Sequence, residues 1–387
     1  MKYDFSTSRY ARFFSENEDK FLQSYLDNSD LFHTNYGWYK TQGTKDPNET
    51  PVADDGTATF QAKSRKVVAS PMMDLRAPLG DSNQMDQEGV HIYTGSIPDF
   101  IAPGFVENSM ERNYKVKMFE QFGNDADIVA AYTRTVQSMI DSSDATLTWM
   151  TAQLMTTGKI DYSKIGRGIR TPLQNALIPA ENFVKAGDKA WTDASCNLLT
   201  QMRKTEENYR RTNNLDKAPL VWQMTRNTFH DVFLHNSEVM DFVKSYRTLN
   251  YIASTKAAPN DTEWQQAVKD LEDVSPIQIV EEKERNKTHT SDSFIQGWAD
   301  NIVVLRPAGD AVQFKHKAII DQSMDSQYGN NQVVNVYGRV NNGLGLLRNT
   351  EQPDGRFKKW GTDLMMSACP VLIDVPYHWI IDITKAG

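Results

Sequence analysis

One stretch of the chain keeps helical time for eight consecutive anchor positions. From Asn124 onward, Ile128, Tyr132, Val136, Met139, Ser143, Leu147, Met150 and Leu154 follow one another at steps of three or four residues. That is the spacing of one face of an α-helix. Asn124 is a suitable N-cap, and Asp125 and Asp127 suit the positive end of the helix dipole. Gly158 suits the left-handed position that ends a helix. A run of this length spans about 50 Å at 1.5 Å per residue, more than a compact domain ordinarily needs. The polar run Asp141-Ser142-Ser143-Asp144 marks a place for a kink. The stripe of Ile128, Tyr132, Val136, Leu147, Met150 and Leu154 is the candidate packing face.

Elsewhere the pattern changes. In "SENEDKFLQSYL" (15–26), Phe21, Tyr25 and Leu26 share a helical face. The following stretch, up to about residue 57, is rich in Gly, Asn, Asp, Thr and Pro and reads as an arm or linker. Strand-like pieces at Thr57–Phe60 and Lys66–Ala69, then "VHIYTGSIPDF", are separated by a polar tip and predict a long hairpin. Alone in water such a hairpin is marginal unless something covers it. Beyond the long helix, short strand-like pieces lead to a second amphipathic helix with Leu198, Met202 and Tyr209 on one side. A buried strand, Leu220–Met224, follows, with Thr225 capping a helix that carries Phe229, Phe233 and Val239. Residues 255–297 read as loop around a short helix, "DTEWQQAVKDLE". The last ninety residues turn β-rich: a strand, a Pro-Ala-Gly turn and a second strand in "NIVVLRPAGDAVQFKHKAII", then "QVVNVYGRV", then two strands bent at Pro376.

Composition narrows the class. A hydrophobic fraction of 39% over 387 residues is slightly lean, which suggests extended arms that bury themselves only against partners. A net charge of −8 argues against a dedicated nucleic-acid gripper, which needs a basic face. Two cysteines far apart, Cys196 and Cys369, form no disulfide framework. No window is apolar and long enough to be a membrane span, and the first residues lack the apolar run of a secretory signal.

No catalytic or cofactor motif emerges. "TTGK" at 156–159 brushes against a phosphate-binding loop, but such a loop runs from strand through glycines into a helix. Here Gly158-Lys159 follows a helix, and Gln153 stands where the first glycine is needed. His230 and His235 are five apart and miss the i, i+4 pairing of a zinc helix. "GLGLLRN" lacks the third glycine of a dinucleotide fingerprint, and "DSNQMDQEG" puts Met85 where calcium needs an oxygen. The basic cluster Lys63, Arg65 and Lys66 has two readings: a solvated strand edge that discourages aggregation, or a contact to an acidic surface of a neighbouring copy.

The order of these parts, with "AQLMTTGKI", "AWTDASCNLL", "APLVWQMTRNTFHDVFLHNSEV", "VVLRPAG" and "SACPVLIDVPYHWIIDIT" in sequence, resembles the major capsid proteins of tailed bacteriophages. These have the Hong Kong 97-type fold, and the likeness is greatest to the lambda-like branch. It runs essentially end to end, although the polar insert around 255–297 has no matching family segment. The resemblance implies an α+β fold with an N-terminal arm (1–50), an extended hairpin (51–110) and a peripheral domain around a spine helix (111–180). Strands at about 325–360 would return to the peripheral domain, beside an axial domain (181–324) and C-terminal strands (361–387). It implies a structural protein without catalytic site, cofactor or metal, building an icosahedral shell of hexamers and pentamers around double-stranded DNA without sequence-specific binding. The place would be the virion, with assembly in the host bacterial cytoplasm. A separate scaffolding protein is expected because the arm follows Met1 so quickly, with a portal and decoration proteins as further partners. The rivals are another virion component of the tail or portal, and a soluble hydrolase built on carboxylates scattered in sequence.

Overall fold

The computed structural model describes residues 36–43, 58–66, 89–102, 105–108, 125–165, 173–193, 195–215, 217–250, 259–271, 274–280, 286–287, 294–316, 333–338, 345–354 and 357–387, together with 24, 114 and 117. Helix α1, Asp125–Thr157, is 33 residues long. The serine-rich run does not break it. Ser142, Ser143 and Thr146 turn their hydroxyls back to the carbonyls of Ser138, Ile140 and Ser142, and the Gln137 amide donates to Asp141. These hydroxyls share carbonyls of the preceding turn with the helix's own N–H groups, and the helix runs on through them. Val136, Met139, Ser143, Leu147, Met150 and Leu154 are all buried. From Leu147 to Thr156 every residue but Gln153 is buried, so the helix leaves the surface and enters the core on all sides. The side chains of Ile128 and Tyr132, and residue Asn124, lie outside what is described.

Gly158 ends α1 with φ +68, its N–H donating to Leu154 O at 2.9 Å. A Cβ there would meet Ile178 Cδ1 at 2.8 Å, so both the backbone angle and the space require glycine. Its carbonyl accepts from Ala176 N. The "TTGK" stretch closes a helix and turns into the short strand Lys159–Asp161, which pairs with Leu173–Asn175.

Two sheets carry the body. The larger runs in the order Tyr39–Gly43, Val312–His316, Phe357–Leu372, Gly345–Asp354, Val333–Gly338, and its long strand Phe357–Leu372 also pairs with Asp99–Ile101 and Phe105–Asn108. The smaller runs Ile277–Val280, Leu220–Thr225, Ile302–Pro307, Trp379–Asp382, Phe183–Lys185. Helices α2 (Leu198–Asn213), α3 (Ser237–Leu249) and α4 (Asp261–Leu271) belong with the smaller sheet. Two cores result. The first gathers α1, the larger sheet and the hairpin, and the second gathers the smaller sheet and α2 to α4. Strand Ile302–Pro307 serves both: Val303 and Leu305 face the second core, Val304 the first, as the two-residue period of a strand requires.

Three expectations change, and one is extended. The strand, Pro-Ala-Gly turn and second strand expected at 302–316 are present, and the structure adds that the two strands enter different sheets. The helix after Thr225 is two: Thr225 does cap a short turn, but a π-helical turn, Phe229–Phe233, intervenes. Asn236 then accepts from Glu238 N and Val239 N to start α3. Within 255–297, Ile277–Val280 is a core strand parallel to Leu220–Thr225, and α4 buries Trp264, Ala267 and Val268. Within the polar arm, Tyr36 and Trp38 are buried, and Tyr39–Gly43 pairs in parallel with Val312–His316. The apolar positions of that segment are few, so its average polarity hid two aromatic anchors.

Candidate assembly elements

The hairpin pairs Ala58–Lys66 with Gly89–Ile97 in antiparallel register. Its two faces differ because side chains alternate across a strand. Phe60, Ala62, Ser64, Tyr93 and Ile97 are buried. Phe60 meets Tyr93 edge to face. Ser64 Oγ donates to Ile373 O at 2.7 Å, Leu372 N donates to Tyr93 Oη at 2.8 Å, and His91 Nε2 lies 3.2 Å from Ala176 O. The base of the hairpin is therefore covered by its own chain, and the marginal stability expected of it does not apply there. The other face carries Gln61, Lys63 and Arg65, all exposed, opposite Thr94, Ile92 and Val90. Lys66 is half-buried at the strand end. The cationic trio thus lies together along one strand, on the side turned away from the core except at Lys66.

A buried corner joins the cores. Arg306, 4% exposed, donates from Nε to Gln223 Oε1 at 2.9 Å, and from Nη1 to the carbonyls of Pro307 and Gly309 at 2.8 and 2.9 Å. Its guanidinium lies over the Trp38 ring, 5.3 Å from the centre, and Trp38 stacks on Tyr36. Burial pulls the guanidinium down to about 10, which leaves it charged at neutral pH. Gly309, with φ +111, closes the turn that this arginine braces. The same corner holds the arm segment, since Ala311 N donates to Trp38 O and Lys40 pairs with Asp310 at 3.3 Å. Nothing in the sequence pattern singles out Arg306 or Trp38.

His378 ties the end of α1 to the C-terminal segment, with Nε2 2.7 Å from Met155 O. It is 3% exposed, and burial lowers its pKa from 6.5 to about 4. The folded chain therefore holds it neutral, donating to a carbonyl of the last helical turn. An unfolded chain takes up a proton near 6.5. Between 6.5 and 4 the unfolded state binds more protons, so stability falls as pH falls through that window, by at most about 1.4 kcal/mol per pH unit for this group. His316, also buried, is lowered to about 4 by the same cause and adds to the slope. Denaturant midpoints are expected to drop steadily between pH 6.5 and 4. His378→Gln, which keeps a donor but does not titrate, is expected to flatten that drop; an unchanged slope would count against the assignment.

Among the described residues, no group of three or more His, Cys, Asp and Glu is placed to hold a metal ion, and no helix is long and apolar enough to cross a membrane. His230 reaches Asp261, itself paired with Arg226 at 2.9 Å, and His235 turns to the carbonyl of His230. The remaining carboxylates with several partners brace the fold. Glu238 accepts from Leu199 N and Thr200 at the start of α2, and Glu206 accepts from Trp222 and Ser275. Arg247 makes a two-pronged bond with Glu263 that locks α3 to α4. Cys196 and Cys369 are both buried, and burial raises both thiols.

A family model described as phage major capsid protein E matches residues 101–339, more than half of the chain. None of the curated proteins matches it. Among solved structures, the mature capsid of bacteriophage PhiM1 is 12% identical, the likeness covering 92% of this chain and 89% of that one, with a TM-score of 0.42. For the capsid of cyanophage P-SCSP1u the values are 12%, 92%, 87% and 0.41. For the virus-like particle from Pyrococcus furiosus they are 9%, 94%, 99% and 0.36.

Proposed function

From the premise that the chain belongs to the phage major capsid protein E family, and is therefore a structural capsid protein of the virion, we propose that it closes into an icosahedral shell of hexamers and pentamers around double-stranded DNA. The match over 101–339 carries this reading. Heterologous contacts between identical copies close into rings and shells when the rotation between them closes, and an acidic chain does not adhere to the DNA it encloses. Assembly would take place in the host cytoplasm, with a scaffolding protein, a portal and decoration proteins as further partners. Negative-stain microscopy of concentrated protein is expected to reveal closed shells or hexameric rings; small discrete particles at every concentration would overturn the reading.

The outward hairpin face is the proposed contact between copies. Exposed charges set the approach and register of partners more than the stability of the monomer. Reversing Lys63, Arg65 and Lys66 to Glu is therefore expected to weaken capsomer association, most of all at low salt where screening is least. The monomer's melting temperature is expected to hold. Unaltered assembly at low salt would remove the hairpin from the interface.

A further inference from the structure

The short turn Val375–Tyr377 joins the two cores, with Val375 in the first and Tyr377 in the second. Side-chain bonds tie it and the residue after it to three elements. Asn182 Nδ2 donates to Pro376 O at 3.0 Å, Tyr209 Oη donates to Tyr377 O at 2.7 Å, and His378 Nε2 lies 2.7 Å from Met155 O. Asn182 does not titrate, and burial raises the Tyr209 phenol, so these two ties are indifferent to acid. His378 is not, because an imidazole is the side chain whose charge changes near neutral pH. Its partner matters as well. Met155 O is one of the last four carbonyls of α1, which the helix itself leaves without a donor. Gly158 N is used on Leu154 O, and the imidazole N–H is what meets Met155 O.

Burial governs the charge on that ring, which is 3% exposed and is held down to about 4. The bond at a helix end, which favours a cation, works against this, and repulsion from Arg306 works with it. Among the described residues the other neighbours offer a protonated ring no counterpart. Residues 147–157 of α1 have no titratable side chain. Asp374, which precedes the turn, acts on Arg306, and burial pushes its carboxyl up. Glu181, next to Asn182, is exposed, as are Lys63 and Arg65 on the hairpin strand that reaches Ile373 through Ser64. Asp382 is paired with Lys385 at 2.7 Å. We infer that the turn is an acid-sensitive latch: a proton on His378 frees Met155 O, and the end of α1 parts from the C-terminal segment while α2 and α3 stay folded. The end of a helix opens locally at less cost than the whole chain unfolds. Once open, the ring titrates near 6.5, so the open state takes the proton first. Its population is expected to be about twentyfold larger at pH 5 than at pH 7. The latch belongs to the single chain and does not depend on assembly.

Hydrogen exchange of the full-length chain, read by mass spectrometry at pH 7 and pH 5 and corrected for the intrinsic pH dependence of exchange, tests the latch. The last turns of α1 and the amides of 375–379 are expected to exchange about twentyfold faster at pH 5. Their exchange is expected to be insensitive to low urea, as local opening exposes little surface, whereas α2 and α3 exchange through urea-sensitive global unfolding. His378→Gln, which keeps a donor for Met155 O, is expected to abolish the acid rise at the end of α1. His316→Gln, at the other buried histidine, is expected to leave it in place. An α1 end that exchanges only in step with α2 and with the same urea dependence would overturn the inference, as would an acid rise that persists in His378→Gln. The urea response of the unsubstituted chain decides by itself if His378→Gln does not fold.

Discussion

Leu147→Asp is expected to yield insoluble chain, or chain that cannot assemble. Leu147 has no exposed surface and sits at the start of the ten-residue stretch in which α1 is enclosed almost all round. A carboxylate placed there would sit in the apolar cluster to which Leu147 belongs. Losing the burial of a leucine side chain amounts to about 2 kcal/mol or more, and burying an unpaired charge adds several kcal/mol. Neutralising the aspartate by a raised pKa recovers part of the second term but none of the first. The sum is comparable to the whole stability of an ordinary domain, about 5–15 kcal/mol. Leu147→Ala separates the two terms, since it removes volume without charge and is expected to cost about 2–5 kcal/mol. Soluble expression, denaturant midpoints and particle yield check both variants. A Leu147→Asp chain with unchanged stability would mean that the stripe does not face the core.

Arg306→Met is expected to lower stability by about 1–3 kcal/mol, the cost of leaving buried acceptors without a donor. The substitution keeps most of the side-chain volume. It leaves Gln223 Oε1 and the carbonyls of Pro307 and Gly309 without the donor that now meets each of them. It also removes the cation lying over Trp38. Arg306→Lys is expected to rescue little, because an ammonium on a flexible stem cannot span three acceptors as a planar fork does. Trp38→Ala is expected to act non-additively with Arg306→Met, since the two side chains share one contact. Urea denaturation of the single and double variants supplies the cycle; strictly additive losses would mean that the strand Tyr39–Gly43 is not held through this corner.

The two cases differ in how far each was legible. The stripe containing Leu147 is local: an amphipathic helix states its buried face through a repeat of 3.6 residues, whatever it packs against. Gly158 was legible for the same reason, as a helix end that needs a left-handed residue. Its second requirement was not, because Ile178 approaches from a separate segment. Arg306 left no trace in the pattern. Its partner Gln223 is 83 residues away, and an arginine in a strand reads as surface until a buried acceptor is known. The hairpin was half legible: strand-like pieces were expected at Thr57–Phe60 and Lys66–Ala69, where one strand, Ala58–Lys66, runs between them and 67–69 lie outside the described residues, while the cover over its base comes from Leu372, Ile373 and Ala176, distant in the chain.

By itself, the order of residues determined the long rod and its end, the amphipathic helices, most strands and the absence of a local catalytic motif. The successive motifs also pointed to a capsid family. Each of these is written in spacing over a few turns or in short ordered motifs, where neighbours in sequence are neighbours in space. Tertiary structure alone decided that Ile302–Pro307 and Val312–His316 separate into two sheets, and that Trp38 and Arg306 clasp where those sheets meet. It also decided which leucines are left facing water. Those outcomes depend on which distant surfaces exclude water together, a condition that no local run of residues contains.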